Sequence, residues 1–349
     1  MAIHDLCLDA TFGKVEHAVF ARERNGFCGH GKFLSVDWRL GYRSIGLKQH
    51  KIGPQEREMA EGIAERIGVA GLGRMGQAIA ESCAKAGYSV AGWTRSGVTP
   101  EAAQALGIAP CQTLAELAAG SDIVILSLFD DAAVSEVLGQ LVQANLSGKL
   151  VVDTSTVSPG TLRAAEAAVN VAGALAVDAP ISGGPEMVRG GVSGVFMGGA
   201  EEAVQRFAPV AAILSDKAAH IGDLGQGLAA KIVNNTVIGG YLEILKEAVQ
   251  TGKRAGLTME AMMGLLSKSP VANPFLMHRL PVLLGEEGWV GFAANGARKD
   301  AILFWETADA LGVEAPALKA YMESATAFVE EGGGEEDVAM IVRSAYLNA

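Results

Sequence analysis

The sequence is poor in aromatic residues, at 6%, and in charge, with only 19% Asp, Glu, Lys and Arg. Its four cysteines, Cys7, Cys28, Cys83 and Cys111, show no paired spacing. That excludes a disulfide scaffold and fits a reduced, cytoplasmic protein. No apolar run approaches the roughly 20 residues that span a bilayer, and no charged-then-apolar leader opens the chain. Basic residues are in the minority. The formal charge of −11 argues against a nucleic-acid or anionic-membrane partner. Scarce charge does not mean disorder here, because half of the residues are hydrophobic.

Glycine, by contrast, is abundant at 44 residues, alongside alanine-rich segments. This mixture suits an α/β protein, and 349 residues suggest two domains. Residues 1–65 stand apart. They hold four of the six histidines (His4, His17, His30 and His50) and lack sustained periodicity. They read as a poorly ordered N-terminal extension. Cys28-Gly29-His30 with Cys7 invites a zinc reading, but the spacing fits no zinc module, and no metal is expected.

From Arg66 the pattern becomes regular. Segments 67–70, 88–93, 122–127 and 150–153 read as strands, each followed by a helix-like stretch. Strands alternating with helices predict βαβ units and a parallel sheet. Segments 175–179 and 192–197 extend it, with His220-Ile221 as the final edge. After Gly227 the strand signal stops. Segment 228–255 predicts one long helix with a candidate kink at Gly239-Gly240. Helical patterns continue at 257–267, 273–284, 296–311, 315–331 and 335–346. The expected architecture is α/β: a Rossmann-type nucleotide-binding domain over 66–226, then an all-helical domain over 227–349, joined by a long inter-domain helix.

Gly71-x-Gly73-x-x-Gly76 lies between a strand and a helix, where glycines make the tight turn, admit a pyrophosphate and pack helix on strand. The helix N-terminus then attracts the anion. Leu72, Arg74 and Met75 complete the motif. NAD enzymes place an Asp or Glu near the end of the second strand to bind the ribose. Here the segment is Trp93-Thr94-Arg95-Ser96. Arg95, helped by Thr94 and Ser96, can hold a 2′-phosphate, so the expected cofactor is NADP, with NAD possible. The alternative is an arginine that stacks on adenine and does not discriminate.

A second constellation follows. Asp178-Ala179-Pro180-Ile181-Ser182-Gly183-Gly184 ends a strand with a hydroxyl and two unobstructed amides, suited to gripping a carboxylate, although a plain turn uses the same residues. Downstream, Gly225-x-Gly227-x-x-x-Lys231-x-x-Asn234-Asn235 opens the long helix. Lys231 and Asn235 are four apart and share a face. A polar pair at a domain boundary, where clefts form, points to a site rather than to a solvated surface.

On these motifs, with Asp153-Thr154-Ser155-Thr156 and Lys299-Asp300, the chain from about 67 to 345 resembles the β-hydroxyacid dehydrogenase family. This is the group of the 3-hydroxyisobutyrate dehydrogenases and the tartronate-semialdehyde, glyoxylate and succinic-semialdehyde reductases. The resemblance implies hydride transfer between nicotinamide and a small hydroxy acid or semialdehyde, a helical C-terminal domain of the 6-phosphogluconate dehydrogenase-like type, and homodimers or homotetramers. It makes Lys231 the acid/base, Asn235 its substrate-orienting neighbour and Ser182-Gly183-Gly184 the carboxylate clamp. Leu128, Phe129 and Thr156 would touch the cofactor, and Lys299 would lie over the cleft. An imine or other carbonyl reductase on the same scaffold would usually replace the lysine. A 6-phosphogluconate-type decarboxylase would need further phosphate-binding residues, and a non-catalytic nucleotide-sensing or chromatin-binding relative should have lost Lys231 or carry basic tracts. One departure stands out: the family commonly has Gly-Ala where this chain has Met187-Val188, and a leucine at Ser193. These side chains either reshape the pocket or pack on the protein surface.

Overall fold

A computed structural model describes residues 65–286 and 288–349, together with 17–18 and 33–34. The last two pairs form a short antiparallel ladder. The order of residues 1–64 and the zinc reading of Cys7, Cys28 and His30 otherwise lie outside the described residues.

From residue 67 onward the strands are β1 (Ile67–Ala70), β2 (Val90–Trp93), β3 (Ala109–Pro110), β4 (Ile123–Leu126), β5 (Leu150–Asp153), β6 (Leu175–Asp178), β7 (Ile181–Ser182), β8 (Gly194–Gly198) and β9 (Lys217–Gly222). They build one sheet of order β9-β8-β6-β5-β4-β1-β2-β3, with β7 paired to β8 at the side. β4 and β5 are buried at every residue, which explains their near-continuous apolar runs: helices cover both faces. Those helices are α1 (Arg74–Lys85), α2 (Pro100–Leu106), α3 (Leu114–Gly120), α4 (Asp131–Leu141), α5 (Pro159–Val171), α6 (Pro185–Arg189) and α7 (Glu201–Leu214). Thr99, Thr113, Asp130 and Ser158 each accept a backbone N–H at a helix start, so the residues that open these helices also define where they begin.

The sheet is not parallel throughout. β1 to β6 run parallel, but β8 lies antiparallel to β6 and β7. The cause is the short connection: a parallel return needs a crossover of a dozen or more residues, usually a full helix, and α6 has five residues. The chain therefore turns back after β7, through the segment that carries α6. A parallel crossover resumes with α7, which brings β9 beside β8. β3, absent from the sequence reading, is a two-residue edge strand that ends in proline, where no ladder donor is needed.

The helical part begins with α8 (Gln226–Arg254), 29 residues and roughly 40 Å long at 1.5 Å per residue. Then come α9 (Met259–Leu266), α10 (Pro274–Leu284), α11 (Ala294–Ala310), α12 (Pro316–Phe328), a π turn at Val329–Gly333 and α13 (Met340–Asn348). α8 does not break at Gly239-Gly240. A Cβ at Gly239 would come within 2.5 Å of the Tyr321 ring, so this glycine serves close packing of α12 rather than a hinge.

One buried carboxylate joins the two halves. Asp178, the last residue of β6, accepts from the Gly225 and Leu228 amides, both at 2.6 Å. It thereby caps the N-terminus of α8, which carries no cap from its own Gly225. The helix end sits so close that a Cβ on Gly198 or Gly227 would strike the Asp178 carboxylate.

Candidate active site

The strand register brings the loops together. Ala70 lies opposite Trp93 and Leu126, Leu126 opposite Asp153, and Asp153 opposite Asp178. All the loops after these strands therefore leave the sheet at one edge, where the strand order reverses around β1 and ligands bind in such sheets.

Gly71 has φ of 98°, a left-handed conformation, and Gly76 packs so tightly on it that a Cβ would collide with the Gly71 carbonyl. α1 then starts at Gly73 without a side-chain cap, leaving first-turn amides for an anion. A cavity of about 320 Å³ adjoins this turn, between Gly71, Gly73, Trp93, Arg95, Leu128 and Glu136. These residues suit the pyrophosphate and adenosine of a dinucleotide. Leu72 lines the same cavity, and Leu72 and Met75 both pack on the core below it.

The remaining candidates divide. Arg95 is 80% exposed, and its Nη1 is 3.5 Å from Glu136 Oε2 on α4. Thr94 spends its hydroxyl on the Gly97 carbonyl at 2.7 Å, which shapes the turn, and its Oγ1 lies 3.4 Å from Ser96 Oγ. Arg74 turns away from the glycine turn and donates to the Val290 carbonyl of the helical part at 2.6 Å. Leu128 N donates to Ser155 Oγ, and Ser155 N to Asp153 Oδ1, both at 2.9 Å. Burial pushes the Asp153 carboxyl up to about 7, and its Oδ2 has no hydrogen-bond partner among the described residues. Lys299 crosses from α11 to donate to the Thr156 carbonyl at 2.6 Å, with Asp300 Oδ1 at 2.9 Å and the Phe129 ring centre 5.7 Å from its Nζ.

Lys231 lies early in α8 and is only 6% exposed. Its Nζ donates to the Ile181 carbonyl, next to Ser182. Burial pushes its pKa down to about 8; Asp300 opposes this, and Lys299 adds to it. An amine at that value exchanges a proton near neutral pH, as an acid/base group must. Asn234, beside the expected Asn235, donates to Ser182 Oγ at 3.1 Å and to Asn235 Oδ1 at 2.9 Å. The adjacent Asn pair was legible; which member holds the serine was not. Glu136 was missed altogether, because one acidic residue on an amphipathic helix reads as solvated surface.

Residues 66–222 match the family described as the NAD binding domain of 6-phosphogluconate dehydrogenase. Residues 225–345 match the NAD-binding domain of NADP-dependent 3-hydroxyisobutyrate dehydrogenase. The chain is 31% identical to the 2-(hydroxymethyl)glutarate dehydrogenase of Eubacterium barkeri over 80% of its own length and 94% of that relative. It belongs to the β-hydroxyacid dehydrogenase family. This family member is also 28% identical to the 2-hydroxy-3-oxopropionate reductase of Escherichia coli (strain K12), covering 81% of this chain and 98% of that one. The structure of Mycobacterium tuberculosis 3-hydroxyisobutyrate dehydrogenase with L-serine superposes with a TM-score of 0.72 at 26% identity, covering 82% and 99% of the two chains. The protein is thus an NAD(P)-dependent oxidoreductase of the hydroxyacid type.

The departures from the family pattern also separate. Val188 is fully buried in the core, and Ser193 donates to the buried Leu214 carbonyl at 2.6 Å. Met187 instead packs against Gly183 of the Ser-Gly-Gly segment, with Sδ 3.0 Å from where a Cβ would stand. Met187→Ala should therefore change the ratio of kcat/KM between small and branched hydroxy acids by about 5- to 150-fold, since a methylene's fit is worth about 1–3 kcal/mol. Val188→Ala should leave that ratio alone and cost about 1–3 kcal/mol of stability in denaturant unfolding. The reverse pattern would exchange their roles.

Proposed function

We propose that the protein reduces a small semialdehyde or keto acid to its hydroxy acid, and catalyses the reverse, with Lys231 as acid/base. The substrate is a small carboxylic acid of the 3-hydroxyisobutyrate, tartronate-semialdehyde, glyoxylate or succinic-semialdehyde type. The observation that carries the reading is the buried Lys231 ammonium beside Ser182, below a glycine turn built for a dinucleotide. Residues 66–226 form the nucleotide-binding part and 227–349 the helical part. When bound, the nicotinamide supplies or accepts the hydride. Ser182, Gly183 and Gly184 hold the substrate carboxylate, and Asn234 orients the serine for it. Asn235 orients the substrate. Lys231 gives a proton to the carbonyl oxygen in reduction and takes it from the hydroxyl in oxidation. Gly71 to Gly76 cradle the pyrophosphate, Leu128, Phe129 and Thr156 flank the nicotinamide half, and Lys299 braces their loops. Val233, Val237 and Ile244 stand 65–69% exposed on one face of α8, which supports a homodimer or homotetramer.

The lysine assignment predicts opposite pH profiles. Reduction needs the ammonium, so its rate should fall as pH rises through about 8; oxidation needs the amine and should rise through the same value. Lys231→Ala should cost about 10²–10⁴-fold in kcat while NADPH binding, followed by fluorescence, stays within a few-fold. Near-normal turnover by that variant with every good substrate would overturn the assignment.

Arg95 supports NADP as the cofactor, because a 2′-phosphate can replace its loose contact with Glu136. Arg95→Ala should raise the KM for NADPH about 10- to 150-fold and barely change that for NADH. Glu136→Gln should lower the KM for NADPH, by up to about fivefold, as expected for an exposed ion pair. Equal weakening of both cofactors by Arg95→Ala would mean that the arginine only stacks on adenine.

A further inference from the structure

Asp153, the last residue of β5, is a fully buried carboxyl that the fold leaves half satisfied. Oδ1 accepts from Ser155 N at 2.9 Å, whereas Oδ2 has no hydrogen-bond partner among the described residues. Two other carboxylates act on it, and both are better compensated. Asp178, opposite it on β6, accepts the Gly225 and Leu228 amides of α8. Asp131, on the first turn of α4, accepts from Ser158 N at 2.9 Å and from the Thr161 hydroxyl. Burial is the main cause of the raised Asp153 pKa, and both of these neighbours add to it. The cations around these strand ends are engaged: Arg163 on α5 donates to the Pro159 carbonyl and acts on Asp178, and Lys299 is held by Thr156 and Asp300. A carboxylate can accept about four donors, so a buried one left with a single amide calls for a reason.

Its place in the sheet supplies one. The strand order runs β6-β5-β4-β1-β2. The cavity suited to the adenosine adjoins the ends of β1 and β2, while Ser182 and the Lys231 amine lie beyond β6. A dinucleotide that starts at the first and reacts at the second lays its nicotinamide over the ends of β4 and β5. Asp153 closes β5 there. It is also tied to the loop after β4, because Ser155, whose amide it holds, accepts from Leu128 N at 2.9 Å. Leu128 lines the cavity and packs on the glycine turn, its Cδ2 2.9 Å from where a Gly71 Cβ would stand.

We propose that Asp153 positions the Leu128 loop for the nicotinamide through Ser155, and that its carboxylate makes the protein favour the oxidised over the reduced dinucleotide. The inference rests on the dinucleotide reading given above. An oxidised nicotinamide ring carries a positive charge and a reduced ring does not, so a carboxylate enclosed beneath the ring attracts only the former. Burial of Asp153 keeps solvent and salt from screening that attraction. The carboxyl titrates at about 7, so near neutral pH the oxidised form, on binding, drives its proton out to solvent. Affinity for the oxidised form therefore rises as pH rises through about 7, and affinity for the reduced form does not.

The test is the Kd of NADP+ and of NADPH from about pH 5.5 to 8.5, by isothermal titration calorimetry, for wild type, Asp153→Asn, Ser155→Ala and Lys231→Arg, with thermal melting of each. In wild type the ratio of the NADP+ Kd to the NADPH Kd should fall about tenfold with rising pH, as for opposite charges meeting inside a protein. The 2′-phosphate is common to both forms and cancels. Asp153→Asn, which keeps an acceptor for Ser155 N, should remove the step at about 7. Titrations at pH 7 in two buffers of different ionisation enthalpy should show wild type releasing about 0.4 proton more with NADP+ than with NADPH, and Asp153→Asn no more. Lys231 gives the same sign but at about 8, so the step at about 7 should remain in Lys231→Arg, which holds its proton throughout. Ser155→Ala should weaken both forms alike, by about 2- to 12-fold, and keep the step. A wild-type ratio that does not move with pH overturns the inference, as does a step that survives in Asp153→Asn or vanishes in Lys231→Arg. If Asp153→Asn fails to fold, the Lys231→Arg result decides alone. Unchanged affinities in Ser155→Ala overturn the positioning of the loop, whereas a wild type that binds no form of NADP or NAD overturns the underlying functional reading.

Discussion

The carboxylate of Asp178 sets the geometry on which the rest depends. It closes β6 and caps α8 in the same stroke, through two 2.6 Å bonds to the Gly225 and Leu228 amides. A charge-assisted bond of this kind contributes about 1.5–3 kcal/mol, and the positive helix end adds to it. Only backbone without side chains fits around the carboxylate, which is why Gly198 and Gly227 meet there. Once α8 is seated this way, its second turn delivers Lys231 to the Ile181 carbonyl and its third delivers Asn234 to Ser182. The path of one helix thus decides where the amine stands relative to the loops of the sheet.

That placement takes the lysine out of water, and the lowered pKa follows from burial. Asp300 offsets part of the shift, while Lys299, held between Asp300 and Thr156, adds repulsion. The same residues brace the cleft. Lys299 ties α11 to the loop after β5, and Arg74 ties the start of α1 to Val290. The two cross-links join the helical part to two different nucleotide-side loops, so the protonation chemistry and the cleft geometry share their supports.

Much of this was legible in sequence because buried parallel strands and glycine turns leave local patterns. β1, β4 and β5 are short apolar runs, and Gly71, Gly73 and Gly76 lie between a strand and a helix. Strand direction is not a local property, so the reversal at β8 was not visible; it follows from a five-residue α6 that cannot return the chain in parallel. Gly239-Gly240 suggested a kink on propensity alone, and packing of Tyr321 reversed the meaning. Lys231 stood out by its glycine and asparagine neighbours. Long-range contacts of single side chains carry no signature in spacing.

The state of the Lys231 amine is the point at which fold and chemistry meet. It can be read directly by a pH titration of the protein with lysine Cε carbons labelled with ¹³C, followed by NMR and assigned by the resonance lost in Lys231→Arg. One lysine signal titrating at about 8, well below the others and absent from that variant, is the predicted result. A Lys231 signal that titrates with the surface lysines, at their ordinary value of about 10.4, would contradict it.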